Sequence, residues 1–216
     1  MALAVAGGDA AGQICTVLSC TTTATTTTTA PPPPPPPDTD RDGVPDARDN
    51  CTNAHNPDQA DSDLDGQGDP CDRDDDGDGL SDSAEEFLGS SRTDRDTDDD
   101  GLADGIEERL GTNLRRFDTD RDGLGDGLEA GLRRGVPDPP GAATGTDRRR
   151  FAPDRDPLTR TNPLRRDTDA DGATDGREDR NRNGRRDRGE TDPRRRDTDG
   201  DAVPDGRDRF PLDARR

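Results

Sequence analysis

Apolar side chains are sparse along this chain, and the few that occur keep step with a recurring acidic phrase. Leu80, Leu102 and Leu124 stand 22 residues apart, each two places after the last of three aspartates at alternate positions. Val44 and Val203 hold the same place after Asp42 and Asp201. Behind three of these phrases, Ser83 to Leu88, Gly105 to Leu110 and Gly127 to Leu132 place apolar residues three or four apart. That spacing predicts short helices with one apolar stripe, and Gly89 and Gly111 predict where two of them stop. No stretch alternates as a half-buried strand does, so no sheet beyond isolated bridges is expected. No apolar run is long enough to span a membrane.

The polar positions are more ordered than the apolar ones. The phrase Asp-x-Asp-x-Asp-Gly-x-x-Asp recurs and ends three residues later in Glu or Asp. Acids at positions 1, 3, 5, 9 and 12, a glycine at 6 and a backbone carbonyl at 7 make the oxygen-ligand pattern of a Ca²⁺ loop. Each loop takes the name of its first residue. The Asp74 loop offers Asp74, Asp76, Asp78, Leu80, Asp82 and Glu85. The Asp96 loop offers Asp96, Asp98, Asp100, Leu102, Asp104 and Glu107, and the Asp118 loop offers Asp118, Asp120, Asp122, Leu124, Asp126 and Glu129. Upstream lie Asp38, Asp40, Asp42, Val44, Asp46 and Asp49, then Asp61, Asp63, Asp65, Gln67, Asp69 and Asp72. Downstream lie Asp167, Asp169, Asp171, Ala173, Asp175 and Glu178. A diluted loop follows with Asp179, Asn181, Asn183, Arg185, Asp187 and Glu190, then a last one with Asp197, Asp199, Asp201, Val203, Asp205 and Asp208. In this last loop Ala202 stands where the others have glycine. A disordered acidic tail would scatter its acids, whereas these fall at fixed offsets from a glycine. Two features argue against paired EF-hands. No helix is predicted to enter any loop, and position 8, usually β-branched or apolar in an EF-hand, is Pro45, Gly68, Ser81, Ala103, Gly125, Thr174, Arg186 and Pro204, the apolar residue sitting at position 7 instead.

Composition fits a chain organised by ions. Only 23% of the 216 residues are hydrophobic, with four Phe and neither Trp nor Tyr. Ordering each residue costs on the order of 1–2 kcal/mol of backbone entropy, more than so little apolar burial offsets. Metal binding can supply the difference. The formal charge is -20, and eight divalent ions would bring +16. The acidity argues against nucleic acid or anionic lipid as a partner. The fold class expected is therefore mostly irregular: an elongated array of Ca²⁺-wrapped, Asp-rich loops with short helical turns and no large hydrophobic core. In the absence of Ca²⁺ the chain is expected to be disordered.

Six segments follow. Residues 1–20 are a short segment with Cys15 and Cys20, Ala-rich but without a basic start, and so a poor signal peptide. Residues 21–37 are a Thr/Pro-rich linker whose seven prolines predict a polyproline II rod of roughly 20 Å. Residues 38–72 hold the two loops near Cys51 and Cys71. Residues 73–132 are the regular cysteine-free array, and residues 133–166 are an irregular connector with stray acids at Asp154 and Asp156. Residues 167–216 form a C-terminal array.

The stretch Asp38-Thr-Asp-Arg-Asp-Gly-Val-Pro-Asp-Ala-Arg-Asp-Asn-Cys51 resembles the thrombospondin type 3 repeat. So does Asn56-Pro-Asp-Gln-Ala-Asp-Ser-Asp-Leu-Asp-Gly-Gln-Gly-Asp-Pro-Cys71. Residues 73–132 and 167–213 are similar to the cysteine-free bacterial variety. The resemblance implies Ca²⁺ wrapping, sparse secondary structure and an extracellular or cell-surface setting. Ala202, Asn181 and Asn183 depart from the repeat, so the last two loops are expected to bind weakly. Cys51 and Cys71 sit at the family's cysteine positions, which implies a disulfide between them. Cys15 and Cys20 could pair as well, and spacing alone leaves three pairings open.

No catalytic constellation is present. His55 is the single histidine, no nucleophile elbow or phosphate loop occurs, and metal ligation accounts for the acids. The expected function is a calcium-binding structural or adhesive segment of a bacterial surface protein, holding up to about eight ions. Alternatives are a periplasmic spacer of an outer-membrane protein and a Ca²⁺-dependent docking module with a protein or cell-envelope partner.

Overall fold

The computed structural model describes residues 15–16, 19–20 and 33–215. The chain divides into two units, Met1–Pro36 and Pro37–Arg216. In the first, Cys15–Thr16 (β1) and Ser19–Cys20 (β2) form an antiparallel ladder in which Cys15 faces Cys20. This ladder departs from the expectation of bridges alone; two residues on each side leave no periodicity to read. Residues 21–32, most of the expected linker, lie outside the described residues.

The second unit is mostly irregular. Its helices are Asp82–Leu88 (α1), Asp104–Leu110 (α2), Asp126–Glu129 (α3) and Asp175–Glu178 (α4). Each starts at position 9 of a loop and ends at or beyond position 12, so the acids at 9 and 12 fall in its first turn. There they meet the positive end of the peptide dipoles. Gly89 (φ 82°) and Gly111 (φ 80°) close α1 and α2 in the left-handed conformation, as their sequence positions predict. α3 is shorter than the expected Gly127 to Leu132 stretch. Gly131 turns left-handed (φ 83°) two positions earlier in the repeat than Gly89 and Gly111 do. α4 was not predicted; it stops after one turn because Asp179 already opens the next loop.

All eight loops share one backbone trace. Position 6 is left-handed in each, from Gly43 (φ 99°) through Gly123 (φ 107°) to Ala202 (φ 76°). Position 4 is left-handed as well, at Arg41, Leu64, Gly77, Asp99, Arg121, Ala170, Arg182 and Gly200. For a residue with a Cβ that conformation costs roughly 1–2 kcal/mol, so six loops hold strain at position 4. The only isolated bridge among the described residues joins Asp94 to Thr144 in parallel.

Apolar burial is slight. Leu80, Leu102 and Leu124, at position 7, are buried together with Leu114, Leu128, Cys51, Ala143 and Ala173. The largest fully buried side chains are all acids: Glu85, Glu107, Glu129, Asp76, Asp96, Asp100, Asp104, Asp126 and Asp175. A chain with few apolar groups has placed carboxylates where a globular domain places leucines. Cys51 and Cys71 are joined by a disulfide that ties the exit of the Asp38 loop to the end of the Asp61 loop.

Candidate metal centres

The loops are built by their own carboxylates before any ion is considered. In all eight, the position 6 N–H donates to the second oxygen of the position 1 Asp, as Gly101 does to Asp96 at 2.9 Å. The N–H groups of Val44, Gln67, Leu80, Leu102, Leu124, Ala173, Arg185 and Val203 donate to the position 5 side chain of the same loop. In every loop except Asp179 the position 5 N–H donates to the position 3 Asp. One oxygen at position 3 is left over, and it is buried without a partner at Asp40, Asp76, Asp98, Asp120, Asp169 and Asp199.

Side-chain oxygens of positions 1, 3 and 5 converge. The groups Asp38–Asp40–Asp42, Asp61–Asp63–Asp65, Asp74–Asp76–Asp78 and Asp96–Asp98–Asp100 each bring three ligand oxygens within 4.8 Å of one another. Position 12 closes over them. Both carboxylate oxygens of Glu85, Glu107 and Glu178, and one of Glu129, Asp49 and Asp208, are buried without a partner. The other oxygen of Glu129 accepts from Thr161 at 2.9 Å. A buried carboxylate that no donor satisfies costs several kcal/mol unless it is protonated or meets a cation.

The electrostatics make the same point. Burial first, then the facing carboxylates of Asp98 and Asp100, push Glu107 up to about 10. Burial and then Asp76, Asp78 and Asp104 push Glu85 to about 9. Burial and Asp122 push Glu129 to about 9, and Glu178 rises to about 8 for similar reasons. Asp76 reaches about 8 and Asp100 about 9, again chiefly through burial. Groups so placed take up protons at neutral pH unless a cation replaces them. The donor set is all oxygen, mostly carboxylate, on turns of irregular backbone. It fits a hard divalent cation and not zinc, which takes imidazole or thiolate.

Position 9 has a different place from the one a single loop suggests. Asp46, Asp69, Asp104, Asp126 and Asp175 accept both the N–H and the hydroxyl of the Thr or Ser at position 2 of their own loop. Asp205 and Asp82 accept the N–H alone. In the Asp74 loop position 2 is Asp75, which has no such hydroxyl, and Arg92 lies 4.0 Å from Asp75 and 3.9 Å from Asp82. Position 9 also faces the preceding loop. Asp126 joins Asp100 and Glu107 in one ligand cluster. Asp104 raises the pKa of Asp76 and Glu85, and Asp175 raises that of Glu129. A centre is thus shared between two consecutive repeats, with position 9 of one completing the set of the loop before it.

The sequence reading missed what sets this register: glycine at position 10. Gly105 N–H donates to Asp78 at 2.8 Å, Gly127 to Asp100 at 3.1 Å, Gly176 to Asp122 at 2.6 Å and Gly206 to Asp171 at 2.9 Å. A Cβ on Gly105 would lie 2.9 Å from the Asp78 carbonyl, and Gly127 and Gly176 approach Asp100 and Asp122 closer still. The loops at Asp74, Asp96, Asp118, Asp167 and Asp197 therefore interlock in succession. The connector and the Asp179 loop intervene in sequence without breaking that succession.

The Asp179 loop differs. Its position 9 acid, Asp187, accepts from the side-chain amides of Asn181 at 3.0 Å and Asn183 at 2.8 Å. Those amides hold Asp187 below the usual carboxylate range. Glu190 turns one oxygen to the Asp187 N–H at 2.8 Å. No helix of the described residues is long and apolar enough to cross a membrane. No protein-family model and no curated protein sequence matches the chain.

Proposed function

We propose that this chain is a calcium-organised repeat segment of the thrombospondin type 3 kind, structural or adhesive in role, working outside the cytoplasm. The observation that carries this reading is the set of buried position 12 carboxylates, Glu85, Glu107 and Glu178, each facing further carboxylates. Calcium suits such sites better than magnesium. It accepts six to eight oxygens in flexible geometry and a bidentate acid, whereas magnesium demands a tight octahedron and keeps its waters. The Cys51–Cys71 disulfide supports an oxidising, calcium-rich setting. The ligand count supports up to about eight ions, with the weakest at Asp179, where amides donate into the loop, and at Asp197, where Ala202 holds a left-handed turn. Small-angle scattering of the whole chain in calcium and in EDTA tests the reading. Chelation is expected to expand residues 38–216, because self-repulsion returns and little apolar core resists it. An unchanged radius of gyration would overturn it.

A further inference from the structure

Residues 133–166 carry no loop of their own, yet their first half lies across the Asp96 loop. The Thr146 hydroxyl accepts from Val136 N–H at 2.7 Å, which leaves its own proton for the Asp96 carboxylate, to which it donates. Asp99, at position 4, accepts from Asp147 N–H at 2.8 Å and is paired with Arg150 at 2.8 Å. The Phe151 ring lies over Gly101, at position 6. Thr144 exchanges backbone hydrogen bonds with Thr93 and Arg95, both at 2.9 Å, just before the loop begins. Farther along, Ala143 N–H donates to the Ser62 carbonyl at 2.9 Å, within the Asp61 loop.

At this centre the acids of positions 1, 3 and 5 are all buried, whereas in the Asp74 loop only Asp76 is. Asp96, Asp98 and Asp100 are 0%, 5% and 1% exposed. Their counterparts Asp118, Asp120 and Asp122, in the next loop, where the Arg182 guanidinium and not a ring lies over Gly123, are only half-buried. Space above Gly79, in the preceding loop, is open where Phe151 fills it above Gly101.

We propose that residues 135–151 are a strap that seals the centre of the Asp96 loop. Thr146 is the positioning residue for its first ligand, and the strap makes this centre exchange its ion more slowly than its neighbours. The inference rests on the calcium reading. An ion leaving an uncovered loop needs only water to replace the carboxylates one at a time. An ion leaving the Asp96 loop needs Thr146 to release Asp96 and Phe151 to lift from Gly101 before water enters.

The test is release of calcium from the intact, loaded chain into excess chromophoric chelator, followed by stopped flow. The wild type is expected to show fast phases and one slow phase with the amplitude of a single ion. Thr146→Val removes the donor and keeps the shape. It should accelerate the slow phase by about tenfold or more, the factor set by a hydrogen bond to a charged group. Fast phases and total calcium should not change. Thr146→Ser should restore the slow phase. Arg150→Gln, on an exposed side chain, should accelerate the same phase and decides the matter if Thr146→Val does not fold. Release of bound calcium without a slow phase, or a slow phase that neither variant moves, would overturn the strap alone. A chain that releases no calcium because it bound none would overturn the calcium reading and the strap with it.

Discussion

At the scale of single residues, backbone geometry governs positions 4 and 6 in every loop and position 10 in four of them, and only position 6 is legible in sequence. Position 6 is recognisable because glycine recurs there, and Ala202 shows what happens without it: the alanine is held at φ 76°. Ala202→Gly should relieve roughly 1 kcal/mol of strain, or about fivefold in affinity for the last loop. The weakest step of a calcium titration would move by that factor, and an unmoved step would contradict the assignment. Position 4 was illegible because its residues share no chemistry: Arg41, Leu64, Asp99 and Ala170 all turn left-handed there. Position 10 was illegible for another reason. Its glycine serves a contact with the preceding repeat, and a loop read alone gives no hint of it. Two alanine substitutions separate these roles. Above Gly79 (φ 92°) there is open space, so Gly79→Ala should cost only conformational strain, roughly 1–2 kcal/mol. In Gly127→Ala the new Cβ meets the Asp100 carbonyl, so the neighbouring repeat must shift, and overpacking of this kind costs about 1–3 kcal/mol. Both should lower the melting temperature in calcium, but only Gly127→Ala should also loosen the Asp96 loop in hydrogen exchange.

At the scale of the element, a loop with its helical turn is a carboxylate cage whose stability depends on pH with opposite sign in the two metal states. Without an ion, Glu85, Glu107, Glu129 and Glu178 have their pKa values raised from 4.5 to between about 8 and about 10. The folded loop then holds more protons than the unfolded one, so stability falls as pH rises. That contribution is complete below about 4.5 and is lost through the range up to about 10. The ion-free chain should therefore be most compact in mild acid and expand as pH is raised towards 9. With calcium the ion takes the place of those protons, so binding releases protons and affinity falls as pH is lowered. Far-ultraviolet dichroism or scattering against pH, with calcium and with EDTA, should give curves that meet in acid and diverge as pH rises. Parallel curves would mean that the buried acids are not the ligands. The loops were legible because positions 1, 3, 5 and 12 lie within twelve residues, whereas the position 9 acid that completes a cage comes from the next repeat and was not. The helices were legible only in part, since Gly131 and the adjoining Asp179 loop cut α3 and α4 to one turn.

At the scale of the whole second unit, ligand spacing identified the loops but not how they join. Residues 73–132 and 167–216 read as two arrays separated by a connector, because sequence distance is all that a linear reading offers. Gly176 N–H instead donates to Asp122 at 2.6 Å, across 54 residues, and Asp175 faces Glu129 from the next repeat. The Asp118 centre is therefore completed by a residue from beyond the connector. On the calcium reading, binding at Asp118 and folding at Asp167 share one free energy, and losing either weakens the other. Gly176→Ala tests this coupling because it replaces no ligand side chain; its Cβ meets the Asp122 backbone carbonyl first, with the Asp122 carboxylate 3.3 Å away. In calcium the wild type should unfold the loops from Asp74 to Asp167 in one cooperative transition. The variant should split that transition in two, with residues 167–208 exchanging amide hydrogens ahead of residues 74–129. A variant that still melts in one step, with uniform exchange on both sides of the connector, would show that the two arrays are held together by something other than this shared centre.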